Sequence, residues 1–473
     1  MYNQDSFSTR RPCVSDPINL SVLEVQLFER DVTLRMPFRF GVTTLRESPQ
    51  VFARVRIQLA DGREGWGQSA EMLAPKWFDK NLELSNEDNF DQLRHALRTA
   101  ATLYRAAAAA TAFDLFRSNY DEQIRICGAR GDGSLVACYG PAVLDRAILD
   151  ALCRLHEVSF YQAVQGNLPG IESDEFEMAP FLAGLKPAAH IHARHTVGMV
   201  DPIRENPEPV GDGLPETLVD VIATYGHRYF KIKVCGDLDE DVNRLRDIAA
   251  VLDESPGDYI ISLDGNEQYH DVAGVTALMD AIEGDERLMR FNKSILFVEQ
   301  PISRAVALDV DVSALSARKP VILDESDAFL GAFSRGRELG YRGVSSKTCK
   351  GLYKSILNAA RCAHWGEGYF MSAEDLTTQA GLSVQQDLAL VNLLGITHVE
   401  RNGHHYVNGM NGVPAAEQAA FLAAHPDMYH QGDGGVTRLS IKDGQIAIGS
   451  LDKIGFAYGA EPDVSVMREM PDG

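Results

Sequence analysis

No stretch of the chain is apolar for long enough to span a bilayer. The first residues, MYNQDSFSTRRPCVSDP, are polar and lack the apolar heart of a secretory signal. Residues 1–17 are therefore expected to form a flexible arm. Cysteine is sparse: Cys13, Cys127, Cys138, Cys153, Cys235, Cys349 and Cys362 are all there is in 473 residues, and none forms a C-x-x-C pair. A disulfide framework or a cysteine zinc site is excluded on that count. Basic charge is short as well, with 45 Lys and Arg against 67 Asp and Glu and a net charge of -22. Phosphate backbones have nothing general to bind to here, so nucleic acid is not an expected partner. No glycine-rich dinucleotide fingerprint opens the first strands. What remains is a soluble, cytoplasmic, globular protein that needs neither membrane nor nucleic acid, with a homo-oligomer as the expected assembly.

The first part of the chain alternates. LSVLEVQLFERDVTL and VFARVRIQLADGREGWGQ read as antiparallel strands, the second around a turn at Asp61-Gly62. MPFRFGVTTLRESPQ between them reads as a loop. From about Phe90 to Asn167 the pattern is helical, including the alanine-rich YRAAAAATAFDLFRS. Strands followed by helices predict an α+β domain over residues 18–185.

The rhythm then changes to short apolar runs separated by amphipathic stretches. The runs are YFKIKV, YIISLD, ILFVEQP, PVILDES, GVSSK, YFMSAE and THVERNG, with IHARHTVGM as an earlier first member. Their polar ends, Lys233, Asp264, Glu299, Asp324, Lys347, Glu374 and Glu400, recur at roughly 23–35 residues, one βα unit each. This predicts a (β/α) barrel over residues 186–410, with a doubly wound open sheet as the alternative. After Met410, GVTRLSIKDGQIAIGS predicts a strand–turn–strand at Asp443-Gly444. Residues 411–473 are expected to return to the first domain.

In a barrel, the C-terminal strand ends carry the active site. Asp264, Glu299 and Asp324 end adjacent strands. Three converging carboxylates repel one another unless a cation lies between them, and a hard divalent ion, Mg2+, suits oxygen ligands. Asn266, Glu267 and Glu325 are accessory candidates, although turn and cap roles suit them equally. Lys231 and Lys233 share a strand face. Crowding two ammonium groups there is expected to lower a lysine pKa toward neutrality and make a general base. Lys347 ends the sixth strand, opposite the second, and Lys350 is its rival. The set predicts removal of an α-proton from a small-molecule carboxylate, with the cation and Lys231 stabilising the enediolate.

FKIKV, SLDGNE, FVEQP, LDES and SSKTCKG, in this order, resemble the enolase superfamily, and within it the muconate lactonising enzyme subgroup, a mandelate racemase/muconate lactonising enzyme-like pattern. The resemblance implies a (β/α)7β TIM-like barrel and an α+β capping domain built from the N-terminal region and the C-terminal end. It implies Mg2+ on Asp264, Glu299 and Asp324, and acid/base roles for Lys233 and Lys347 with Lys231 assisting. It also implies cap loops over the substrate, here Phe38–Leu45 and Glu71–Phe78 with Arg39, Lys76 and Trp77. Strand seven ends in Glu374 rather than the histidine of the mandelate racemase-like subgroup. The eighth strand carries His398, Glu400, Arg401, His404 and His405 where dipeptide epimerases show Asp-x-Asp. Arg401 is a candidate for an anionic group on the substrate, while His404 and His405 read as loop residues. A racemase or epimerase working by 1,1-proton transfer is the expected activity. A lyase or cycloisomerase, o-succinylbenzoate synthase-like or lactonising, is the alternative, and a non-catalytic barrel is a third reading.

Overall fold

The computed structural model describes residues 18–41 and 43–471, so the expected arm, residues 1–17, lies outside the described residues. β1 (Leu20–Phe40), β2 (Thr43–Leu59) and β3 (Glu64–Met72) make an antiparallel sheet. The segment expected as a loop between β1 and β2 is mostly hairpin, with Phe38 paired to Leu45 and Phe40 to Thr43. Its alternation explains this: Met36, Phe38 and Phe40 all bury their side chains. Pro37 is accommodated because it falls where the register slips between Thr33 and Phe38.

α1 (Asn86–Ala106) and α3 (Ser134–Leu155) pack on this sheet, and α2 (Ala112–Gly128) packs on those two helices. The alanine-rich run is not one helix, contrary to its propensity. Leu20 N–H donates to Ala110 O at 2.8 Å and Ala110 N–H donates to Leu20 O at 3.1 Å. This pair with β1 breaks the run, and Thr111 caps α2 through the Asp114 N–H. Tertiary pairing overrides local preference here.

The apolar runs form eight strands, all parallel: β4 (His190–Val197), β5 (Tyr229–Lys233), β6 (Ile260–Asp264), β7 (Ile295–Glu299), β8 (Val321–Leu323), β9 (Gly343–Ser346), β10 (Phe370–Ala373) and β11 (His398–Arg401). They neighbour one another in chain order, and β11 also pairs with β4, so the sheet curls round. Among the described residues no ladder joins β10 to β11. Helices such as Leu238–Glu254 and Leu352–Trp365 cover the outside, so the strands are buried on both faces and carry mostly apolar residues.

The predicted hairpin at Asp443-Gly444 shrinks to one bridge between Lys442 and Gln445. Gln445–Ala447 pairs antiparallel with His190–His192 of β4, and Thr437–Leu439 pairs with Tyr429–Gln431. His190 and Ile191 lead their parallel neighbours and have ladder groups to offer. Further on, Arg468–Glu469 adds an edge to β1. Asp150 of α3 accepts from Gln68 N–H at 2.9 Å and from Phe456 N–H at 2.8 Å, tying sheet, helix and C-terminal segment together.

Gly67 is where β3 and α3 come closest. A Cβ there would lie 2.0 Å from Ala147 O and 2.3 Å from Ala151 N, both backbone atoms that cannot step aside. Gly67→Ala is expected to lower stability by about 3 kcal/mol or more, at the upper end of overpacking effects. Chemical denaturation of the two proteins measures this.

Candidate active site

The strand registers set the site. Lys233 lies beside Asp264, and Asp264 beside Glu299, at the C-terminal ends of β5, β6 and β7. Asp324, Lys347 and Glu374 each follow their strand by one residue. All of these side chains are buried.

Lys231 is the centre. Its Nζ lies 2.8 Å from Asp264 Oδ2, 3.0 Å from Glu299 Oε2, 2.7 Å from Glu374 Oε2 and 2.6 Å from Glu400 Oε2. Burial works against its charge, but these four carboxylates outweigh burial and hold the ammonium well above its ordinary value. Acids rather than lysines surround Lys231, in keeping with the cationic role expected of it. Lys233 donates to Asp264 Oδ2 at 2.6 Å. Lys347 lies 3.1 Å from Asp324 Oδ2 and 3.0 Å from Glu374 Oε1, with its Nζ 3.7 Å from the Trp77 ring centroid. Lys350 is not out in a loop: it reaches Asp324 Oδ1 at 3.1 Å.

The acids divide into two kinds. Burial opposes ionisation of Asp264, but Lys231 and Lys233 overcome it and hold the carboxyl down at about 2. Glu374 is likewise held well below its ordinary value, with Lys231 and Lys347 outweighing burial. Glu299 is pushed well above, by burial and then by Glu374. Asp324 is pushed up to about 7, by burial and then by Glu374, against Lys347 and Lys350. Among the described residues neither oxygen of Glu299 accepts a well-directed hydrogen bond, and Lys231 Nζ at 3.0 Å is its ion-pair partner. These two carboxylates want more positive charge than the lysines supply.

A hard divalent cation fits that demand. Ligand oxygens of Glu299, Asp324 and Glu374 lie within 4.8 Å of one another. Asp264 is a strand neighbour of Glu299, but one oxygen faces Lys231 and Lys233 and the other accepts from Asn266 N–H at 2.9 Å. Glu299 and Asp324 are thus common to both ligand sets, with Asp264 the third by sequence and Glu374 the third by proximity.

The accessory candidates lie close by. Asn266 Nδ2 donates to Glu325 Oε1 at 3.3 Å, and Asn266 takes a left-handed φ of 39°. Arg401 does not reach the lysines. Its guanidinium pairs with Asp387, lies 3.5 Å from Asp375 and donates to Glu400 O at 2.7 Å. His398 Nδ1 meets Arg194 Nη1 at 2.9 Å.

The expected cap loop Glu71–Phe78 is joined to the barrel side by residues that no sequence pattern marks, Lys80, Arg304 and Thr348. Lys80 Nζ donates to Asn266 O and pairs with Glu267, both at 2.6 Å, and lies 3.4 Å from Glu325 Oε1. Arg304 donates to the Trp77 and Phe78 carbonyls at 2.8 Å and pairs with Glu267. Glu71 accepts from Thr348 Oγ1, beside Lys347, at 3.0 Å. Phe38, Phe40, Leu45 and Trp77 roof a cavity of 30 Å3 over Lys233, Lys347 and Glu374. A larger cavity of 520 Å3, bordered by Arg401, Glu216 and His404, lacks those lysines.

No family model and no curated protein matches the chain. Solved structures do. A dipeptide epimerase from Cytophaga hutchinsonii, complexed with Mg and D-Ala-L-Val, is 15% identical with a TM-score of 0.57, over 95% of this chain and 99% of that one. Muconate lactonizing enzyme from Pseudomonas fluorescens, complexed with muconolactone, is 18% identical at 0.58, over 94% and 97%. The L-Ala-D/L-Glu epimerase from Bacillus subtilis is 16% identical at 0.57, over 93% and 99%. A member of the enolase superfamily from Roseovarius nubinhibens ISM, complexed with magnesium, is 16% identical at 0.54, over 95% and 97%. The chain shares their fold, a helix-covered, curled parallel sheet with an N-terminal cap.

Glu299→Gln is expected to weaken Mg2+ binding at least ~10-fold, about 1.4 kcal/mol, in a calorimetric titration. Wild-type affinity is expected to rise as pH approaches about 7, because Asp324 must give up its proton before it can serve as a ligand.

Proposed function

With the fold of enolase-superfamily structures as the premise, we propose that the chain is a Mg2+-dependent enzyme of that superfamily, in which lysines remove and return the α-proton of a carboxylate substrate. In this reading the curled sheet is a (β/α)7β barrel over residues 186–410. Residues 18–185 and 411–473 form its cap. The observation that carries it is one small cavity bordered by Lys233 and Lys347, which rest on different acids, Asp264 and Asp324.

Mg2+ would be held by Glu299 and Asp324, with Asp264 or Glu374, and would supply Lewis-acid stabilisation of the substrate carboxylate. The residues do the rest. Lys233, entering the step as the free amine, takes the proton from one face of the α-carbon, and Asp264, kept ionised by Lys231, holds the ammonium that forms. Lys231, fixed by its carboxylates, faces the negative charge that develops on the enediolate. Lys347 delivers a proton to the opposite face, which makes the reaction a racemisation or epimerisation. The roof of Phe38, Phe40, Leu45 and Trp77 keeps water from the carbanion and suits an apolar substrate group. A cavity of 30 Å3 has room for about one water. Substrate entry therefore requires the roof hairpin to move.

One observation favours a second reading, a lyase or cycloisomerase. Lys347 sits between two carboxylates and over the Trp77 ring, an arrangement that suits a permanent cation. There, Lys347 stabilises charge while Lys233 alone moves the proton.

The test is solvent deuterium exchange at the α-carbon, followed by NMR across a library of carboxylic acids with Mg2+. Wild type is expected to exchange at least one acid, and Lys233→Ala to slow exchange about 10³-fold or more. If no acid exchanges, the proposal fails. Product chirality separates the two readings: inversion supports the epimerase, and loss of water or ring closure supports the second.

A further inference from the structure

Four of the chain's histidines cluster outside the barrel lumen, away from the lysines. Along β4, Arg194 reaches Ser372 and Thr196 reaches Glu400, so both face inward. His195, between them, faces the opposite side of the sheet. There it meets His227, just before β5, and His404, just after β11. The ring centroids stand 5.3 Å apart for His195 and His227, 5.5 Å for His195 and His404, and 5.3 Å for His227 and His404. One ring nitrogen from each lies within 4.8 Å of the other two. His405 stacks edge-on against His195 from outside the trio.

The nitrogens are poorly served by the protein. His227 Nδ1 lies 3.0 Å from Ala193 O. A carbonyl can only accept, so Nδ1 carries the proton and Nε2 keeps its lone pair. That Nε2 is buried and has no hydrogen-bond partner among the described residues, and neither does His195 Nδ1 or either nitrogen of His404. Buried polar atoms are rarely left so. A backbone carbonyl orienting the far nitrogen is also how metal-binding histidines are commonly held. Burial keeps His195, His227 and His404 below their ordinary pKa, and therefore neutral, which is the ligand form.

We propose that His195, His227 and His404 form a second metal site, taking Zn2+ or a similar imidazole-seeking divalent ion. Imidazole suits Zn2+ and serves Mg2+ poorly, so this site and the carboxylate site select different ions. Tetrahedral zinc at about 2.0–2.1 Å from each nitrogen places the nitrogens about 3.3 Å apart. The nitrogens lie within 4.8 Å of one another without an ion, so binding requires them to close by up to about 1.5 Å. His404 borders the 520 Å3 cavity, which offers an ion a route in and space for a solvent ligand. The ion would staple β4, the start of β5 and the segment after β11 at the seam where first and last parallel strands pair.

The experiment is a calorimetric Zn2+ titration of the chelator-stripped full chain in saturating Mg2+, with metal content checked by mass spectrometry. Wild type is expected to bind one Zn2+ per chain and to melt at higher temperature as Zn2+ is added. His227→Gln and His404→Gln are each expected to lower Zn2+ affinity by ~100-fold or more, while Glu299→Gln leaves it unchanged. X-ray absorption of the Zn2+-loaded wild type, which needs no variant to fold, is expected to show three imidazole ligands. No Zn2+ binding in Mg2+, unchanged binding by His404→Gln, or an oxygen-only shell would each overturn the proposal. None of these outcomes touches proton exchange at the lysines.

Discussion

Lys231 places one ammonium among carboxylates from four strands: Asp264 on β6, Glu299 on β7, Glu374 just after β10 and Glu400 on β11. Two of these acids flank a gap in the sheet, since among the described residues β10 and β11 share no ladder. Backbone hydrogen bonds close the sheet elsewhere. At this gap side chains do it, with Lys231 bridging Glu374 to Glu400 and Arg194 of β4 reaching Ser372 and Ala373 O. The shape of the mouth depends on buried ion pairs.

Such pairs are expensive to bury, and the desolvation of several charges can exceed their attraction. The arrangement makes sense as a site whose charge is set for a ligand rather than for stability. Lysines neutralise Asp264 and Glu374 fully, and both acids stay ionised. Glu299 and Asp324 are left short of positive charge, next to each other and facing the same space. A metal-binding centre needs exactly such a residue of unmet charge, supported by groups that are already satisfied.

Much of this was legible in the sequence because a parallel barrel writes itself locally. Each strand is a short apolar run with a polar residue at or near its end. Lys233, Asp264, Glu299, Asp324, Lys347, Glu374 and Glu400 could be read this way, while Arg401, the last residue of β11, turns away to Asp387 and Asp375. The errors share a cause as well. The alanine run breaks because Leu20 pairs with Ala110, and the hairpin at Asp443 dissolves because β4 takes Gln445–Ala447. Both are decided by partners far away in the chain, which periodicity does not register. The cap contacts were invisible for the same reason: Lys80 and Glu325 stand 245 residues apart. Spacing showed Lys231 beside its lysine neighbour and not the four acids that hold its ammonium.

Those cap contacts also change what the cap is. Lys80 grips Asn266 and Glu267, the loop that follows Asp264, and Glu325, which follows Asp324. Arg304 ties the same Glu267 to the carbonyls of Trp77 and Phe78. Glu71, held by Arg146 of α3 at 3.0 Å, accepts from Thr348 beside Lys347. The roof is therefore anchored on the very loops that carry the acids and the sixth-strand lysine. Arg304 thereby links Trp77 of the roof to Glu267, next to the Asn266 N–H that holds Asp264. A single set of ion pairs serves both the roof and the loops that carry these carboxylates, so neither can shift without loading the other.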